Sequence, residues 1–144
     1  MKVLMLNGSC NPKGCTYTAL TEVGKTLTSA GIDYEIVQLD GGPVRDCIGC
    51  NQCSKNGCVF TDDGVNDFIA KARQADGFVF GTPVYYAHPS GRVLSFLDRV
   101  FYAGGSAFAG KPGAAVASAR RAGTTASLDA LGGEYHTPEG TSVW

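Results

Sequence analysis

The sequence predicts an α/β fold: an open, doubly wound parallel sheet in a three-layer α/β/α sandwich, formed by residues 1–144 as a single domain. Three observations carry this expectation. Short apolar runs suited to strands buried on both faces alternate with segments whose apolar side chains recur at helical intervals. In such an alternation each crossover must be right-handed and covered, which leaves few topologies. A chain of 144 residues that is 44% hydrophobic and only 17% charged also suits one compact core.

Residues 2–6 (KVLML) read as the first strand, ending at Asn7-Gly8. Tyr17, Leu20, Val23 and Leu27 mark a helix over 17–30, with Thr16 as its cap and Gly31 as its stop. Residues 34–39 (YEIVQL) form the second strand. A cysteine-rich loop at 46–63 follows, and Asp62 and Asp63 then cap a helix with Val65, Phe68, Ile69 and Ala72 on one face. Residues 77–81 (GFVFG) are the third strand. Ser90 starts a helix with the stripe Val93, Leu94, Leu97, Val100 and Phe101. Residues 114–117 (AAVA) are the fourth strand, and a short helix over 124–131 closes a βαβαβαβα order.

The tail at 132–144, GGEYHTPEGTSVW, is too short and too glycine-rich for another strand and helix, although 141–144 offer a stub of strand. The last βα unit of the pattern is therefore expected to be truncated. That would leave the fourth strand with a free edge and part of one sheet face uncovered, predicting association with another copy or limited stability.

Twelve basic residues against thirteen acidic ones give no electrostatic footprint for nucleic acid or anionic lipid. The apolar runs are too short to span a bilayer, and the opening MKVLMLNGS lacks the length and cleavage site of a signal peptide. Neither nucleic acid nor membrane is an expected partner. A cytoplasmic setting is expected, where thiols stay reduced.

In open α/β sheets, ligands bind outside the carboxyl ends of the strands, where strand order reverses. Three loops leave such ends, at 8–16, 82–91 and 118–125, all rich in Gly and hydroxyl residues. In the first, GSCNPKGCT, amides at a helix start attract phosphate, and Ser9, Asn11 and Thr16 add donors without bulk. The spacing is neither G-x-G-x-x-G nor a P-loop, so a phosphate monoester suits it better than a nucleoside triphosphate. The plainer alternative is an ordinary βα turn. In the second, TPVYYAHPSG, Pro83 and Pro89 hold the backbone extended beside Tyr85 and Tyr86, which suit either a planar ligand or closure of the sheet edge. In the third, SARRAGTT, Arg120 and Arg121 could steady an anionic ring or a second phosphate, or be plain surface charge. No acid–base or nucleophilic constellation emerges: His88 and His136 read as loop residues, and Cys10 and Cys15 have no histidine partner. A neutral phosphate cradle beside an aromatic wall and arginines suits a bound cofactor that performs the chemistry itself.

Taken in order, GSCNPKGCTYTAL, ADGFVFGTPVYYAHPSGRVLSFLDR and GKPGAAVASARRAGTT resemble the NADPH-dependent FMN reductase family, of flavodoxin-like fold, over residues 1 to about 131. The resemblance implies an FMN site. Ser9, Asn11, Lys13, Cys15, Thr16 and Tyr17 would surround the phosphate, and Pro83, Val84, Tyr85 and Tyr86 would line the isoalloxazine ring. Ser118, Arg120 and Gly123 would complete the site. Cys15 stands where the family often has Asn or Ser, and the tail departs from the family's fifth strand and last helix.

Cys47, Cys50, Cys53 and Cys58 fall within twelve positions. Disulfides do not suit a reducing compartment, and zinc sites more often use two C-x-x-C knuckles set farther apart. The steps of three, three and five approach the bacterial ferredoxin run, with one extra residue and Val59 in place of Pro. The loop also resembles that of the iron–sulfur flavoproteins, which implies a 4Fe–4S cluster on these four thiolates. Zinc and bare thiols stay open as alternatives.

The expected function is that of an FMN-dependent NAD(P)H oxidoreductase of the flavin or quinone reductase type, passing electrons from a nicotinamide to a small-molecule acceptor. The first alternative is an iron–sulfur flavoprotein that transfers electrons from a ferredoxin-like donor. The second is a truncated, non-catalytic interaction domain. A homo-oligomer, dimer or tetramer, is expected.

Overall fold

A computed structural model describes residues 1–39, 41–53 and 57–135. In chain order the elements are β1 (Lys2–Asn7), α1 (Cys15–Ser29), β2 (Asp33–Gln38), α2 (Val65–Ala72), β3 (Gly77–Tyr85), β4 (His88–Pro89), α3 (Gly91–Gly104), a single 3-10 turn (Gly105–Ala107), β5 (Gly113–Ser118) and α4 (Thr124–Tyr135). β1 lies between β2 and β3 in parallel register, Leu4 opposite both Glu35 and Phe78. β3 continues the sheet in parallel to β5, with Phe80 opposite Ala115. The parallel order β2-β1-β3-β5 has its switch point between β1 and β3, because the chain leaves β1 for one side and later returns on the other. The fold is the doubly wound α/β sandwich that the alternation predicts.

Side-chain alternation along the strands divides the core in two. Leu4, Leu6, Phe78 and Phe80 face Val65, Phe68 and Ile69 of α2 and Val93, Phe96, Leu97 and Val100 of α3, together with Phe108, Leu131 and Tyr135. Met5 and Val79 face Leu20 on the other side, with Val3, Val23, Leu27, Tyr34, Ile36 and Val116 packed around them. Among the described residues α1 covers that second face, and the side chains of β5 from Ala114 to Ser118 are only half-buried.

Several expectations need correction. Thr16 does not cap α1: Gly14 holds the cap position, and Thr16 is buried inside the first turn. Asp62 and Asp63 do not cap α2, whose cap is Gly64 at φ +78°; both carboxylates are taken by arginines. β3 runs four residues beyond Gly81, because Pro83, which has no N–H, still fits the ladder opposite Ser118. Its end folds back as a hairpin, Val84–Pro89 and Tyr85–His88, adding a short antiparallel strand.

The last helix extends past Leu131 to Tyr135, since burial of that ring outweighs the weak propensity of Gly132-Gly133. Tyr135 is packed against Phe78, Phe80, Phe101 and Phe108, and its hydroxyl donates to the Lys111 carbonyl at 2.6 Å. Gly113 makes room for it, because a Cβ there would lie 2.4 Å from the ring. His136 and the strand stub at 141–144 lie outside the described residues.

Candidate functional site

The loop after β1 is built by a relay of side-chain turns. Asn7 is fully buried; its Nδ2 donates to Gln38 Oε1 at 2.6 Å and its Oδ1 accepts from the Ser9 N–H at 3.3 Å. Ser9 Oγ accepts from the Asn11 N–H, and Asn11 Oδ1 from the Lys13 N–H, both at 3.1 Å. Gln38 Nε2 donates to the Ser9 carbonyl at 2.7 Å. Short polar side chains suit this segment because each can replace one backbone partner in a turn. The relay delivers the chain to Gly14, whose carbonyl accepts the first helical bond, from Thr18 N–H at 3.0 Å. The N–H groups of Cys15, Thr16 and Tyr17 precede that bond, as in the first turn of any helix, and carry its positive dipole end.

Three loops converge at this end of the sheet. Gly8 N–H donates to the Gly81 carbonyl at 2.8 Å, tying the first loop to β3. Thr16 Oγ1 and Ser118 Oγ share a hydrogen bond of 2.7 Å, tying α1 to the end of β5. Gly123, at φ +93°, lies so close to the hairpin that a Cβ there would sit 2.4 Å from the Ala87 Cα. Tyr86 and Ala87, at φ +51° and +61°, form the hairpin tip in the left-handed region that non-glycine residues rarely adopt. This turn leaves Tyr86 fully exposed and Tyr85 half-exposed, beside buried Pro83 and half-buried Val84. Thr82 Oγ1 accepts from the Ser90 N–H at 3.1 Å, holding the hairpin against the start of α3.

The expected site residues therefore share one end of the molecule. Lys13, Cys15 and Tyr17 are exposed at the start of α1, with Ser9 and Thr16 buried beneath them. Arg120 and Arg121 are exposed just beyond β5. The chemistry fits a flavin mononucleotide: free-ended amides and a lysine for a phosphate and tyrosines for a planar ring, with Gly123 letting the third loop close onto the tyrosine hairpin.

A second constellation lies against α3. Cys47, Cys50, Cys53 and Cys58 all line one cavity of about 220 Å³, together with Ile48, Val59, Phe60, Arg99 and Tyr102. Burial, then the neighbouring thiols of Cys58, Cys50 and Cys47, push the Cys53 thiol above its ordinary value. Cys58 is the buried member; Cys50 is half-exposed, and Cys47 and Cys53 are exposed.

Asn66 of α2 clamps the Cys58 backbone, its Oδ1 accepting from the N–H and its Nδ2 donating to the carbonyl, each at 2.8 Å. Arg99 Nε donates to Cys58 Sγ at 3.3 Å. The same guanidinium pairs in a fork with Asp63, donates to the Arg45 and Phe60 carbonyls at 3.2 and 3.4 Å, and lies 5.0 Å from the Phe60 ring centre. Burial works against its charge, but Asp63 and the sulfur outweigh burial and hold it above the usual guanidinium range. Arg45 stacks on the same ring and pairs with Asp62. Ser95 reaches Asp46, and Arg92 donates to Cys10 Sγ at 3.0 Å and to the Gly42 carbonyl at 2.8 Å. Ser95 and Arg99 of α3 and Asn66 of α2 thus hold parts of the cysteine loop, while Arg92 braces the segments before it.

Among the described residues no three Cys, His, Asp or Glu side chains are placed together to hold a metal ion. The four cysteines around one cavity are soft sulfur donors, the donor type that both zinc and clusters of iron and sulfide take. Arg99 and Asn66 were not visible as site residues from sequence. The available signal was an arginine inside an otherwise apolar helical stripe, together with paired aspartates that needed a partner.

The sequence model of the NADPH-dependent FMN reductase family matches residues 1–135. An iron–sulfur flavoprotein of Methanocaldococcus jannaschii is 35% identical over 100 residues, covering 69% of this chain and 51% of that protein. The chain spans about half the length of the curated relatives it matches. Among solved structures, a flavone reductase superposes with a TM-score of 0.76 at 18% identity, over 99% of this chain and 52% of that one. A flavodoxin from the Archaea superposes with a TM-score of 0.67 at 14% identity, over 99% and 78%. These likenesses show a flavodoxin-like fold.

Proposed function

Since the chain belongs to the NADPH-dependent FMN reductase family, we propose that it binds FMN at the converging strand ends and acts as a flavin-dependent oxidoreductase. The observation that carries this reading is the meeting of the three loops at the β1/β3 switch point through Gly8–Gly81, Thr16–Ser118 and Gly123–Ala87. FMN, when bound, supplies the redox chemistry, taking electrons from NAD(P)H and releasing them to a small acceptor such as a quinone or free flavin. The chain's own residues bind and orient. The amides of Cys15, Thr16 and Tyr17, with Ser9, Asn11 and Lys13, hold the phosphate. Pro83, Val84, Tyr85 and Tyr86 form the wall for the ring. Ser118, Arg120 and Gly123 close the third side, Arg120 offsetting negative charge.

A second reading keeps the flavin and replaces the nicotinamide with a one-electron partner of ferredoxin type. It is favoured by the single cavity shared by all four loop cysteines, and by the name iron–sulfur flavoprotein that the curated relatives carry. In this reading Cys47, Cys50, Cys53 and Cys58 hold a 4Fe–4S cluster. α3 links the two sites: from Arg92, at the flavin loop, to Arg99, at the cysteine cavity, seven residues of helix rise only about 10 Å.

Anaerobic protein assayed for flavin, iron and acid-labile sulfide, with its visible spectrum taken before and after NADPH, tests both readings. Flavin bleached by NADPH with negligible iron supports the reductase. Stoichiometric iron and sulfide with no response to NADPH supports the electron-transfer reading. Protein that stays colourless after FMN titration contradicts both, and fits the remaining alternative of a non-catalytic domain.

A further inference from the structure

The cysteine cavity is asymmetric, and the asymmetry centres on Arg99. Its side chain is 1% exposed and all five of its N–H groups have acceptors: one Cys58 sulfur, the two oxygens of Asp63, and the carbonyls of Arg45 and Phe60. Asp63 is itself 4% exposed, so this is a buried ion pair. Such a pair costs several kcal/mol to desolvate and adds little net stability, so its presence beside a sulfur invites a role beyond folding. Cys58 is held at both ends, its backbone by Asn66 and its sulfur by Arg99. The segment bearing Cys47 and Cys50 instead includes Gly49 and Asn51 at φ +61° and +53°, and α3 reaches it through the Ser95–Asp46 contact.

We propose that Arg99 is a positioning residue for the iron–sulfur cluster of the second reading: it presents Cys58 as the anchored ligand and raises the cluster's reduction potential through the Nε–H···Sγ bond and its adjacent positive charge, which Asp63 partly offsets. This inference rests on that reading. A hydrogen bond to a ligating sulfur withdraws electron density and favours the state with one more electron, and a nearby cation acts in the same direction. A nearby carboxylate acts oppositely. The geometry therefore assigns opposite signs to the two members of one buried pair.

The test uses the full chain, reconstituted anaerobically with ferrous iron and sulfide, and reads the midpoint potential by a redox titration followed by electron paramagnetic resonance. Arg99→Gln is expected to shift the potential negative and Asp63→Asn to shift it positive, each beyond the spread of replicate titrations. A purely structural pair would loosen the loop alike in both variants and move both potentials the same way, or neither; either result overturns the inference. If Arg99→Gln does not fold, Asp63→Asn decides alone: a positive shift supports the inference, and an unchanged or negative one overturns it. A wild-type chain that takes up no iron or sulfide overturns the cluster reading, and this inference with it. A wild-type cluster whose potential ignores both substitutions overturns the inference only.

Discussion

At the scale of single residues, two positions govern the proposed flavin site. Tyr85 stands half-exposed at the end of β3, where a ring can lie against a planar ligand. Tyr85→Ala should weaken FMN binding by about 1 kcal/mol or more, roughly fivefold, through lost ring contact. Fluorescence titration checks this, and unchanged affinity would remove the tyrosine from the site. Gly123 combines φ +93° with an approach to Ala87 that leaves no room for a Cβ. Gly123→Ala should therefore force the third loop off the hairpin at a cost on the order of 1–3 kcal/mol. The expected readouts are a lower melting temperature and a larger loss of FMN affinity than Tyr85→Ala produces. Both residues were legible in the sequence as members of a motif, but their geometry was not. Nothing in SARRAGTT shows that its glycine meets the tyrosine hairpin, because that contact joins loops 36 residues apart (123 against 87).

At the scale of elements, propensity located strands and helices well and misjudged their ends. The ends here are settled by long-range contacts. Asp62 and Asp63 resemble helix caps in sequence, yet Arg45 and Arg99 claim them, and the cap falls to Gly64. Gly132-Gly133 resembles a stop, yet α4 continues to bury Tyr135. That ring anchors the helix: burial pushes its hydroxyl up to about 12, while the hydroxyl donates to the Lys111 carbonyl. A folded-state value above the unfolded one means the neutral phenol stabilises the fold. The contribution is complete below pH 10 and is lost as pH rises from 10 toward 12. Urea titrations at pH 9 and pH 11 should show this loss in the wild type, and Tyr135→Phe should remove the part due to this group. At pH 7 the same variant should cost about 1 kcal/mol for the lost hydrogen bond. An identical alkaline loss in both proteins would contradict the assignment.

At the scale of the whole molecule, α3 touches both proposed sites. Its first turn braces the loop after β1 through Arg92 and Cys10, and its middle grips the cysteine loop through Arg99. The doubly wound order made the end of the sheet where the three loops meet legible from sequence, since loops after parallel strands gather at their carboxyl ends. The cysteine cavity was legible only as a spacing; its shape depends on a buried ion pair that no local pattern encodes. No helix among the described residues is long and apolar enough to cross a membrane. β5 has β3 as its one sheet neighbour among the described residues, and its side chains are half-buried. An unpaired edge of this kind favours pairing with another chain. Light scattering of the purified chain is expected to give a dimer or tetramer, and a monomer at all accessible concentrations would contradict that expectation.

We propose that a phosphate-bearing flavin docks at the start of α1, across the ends of β1, β3 and β5. Calorimetric titration of flavin-free protein with FMN and, in parallel, with riboflavin tests it most directly. One FMN is expected to bind per chain, and riboflavin, which has the ring but lacks the phosphate, to bind much more weakly. Equal affinity for the two, or no uptake of FMN, would contradict it.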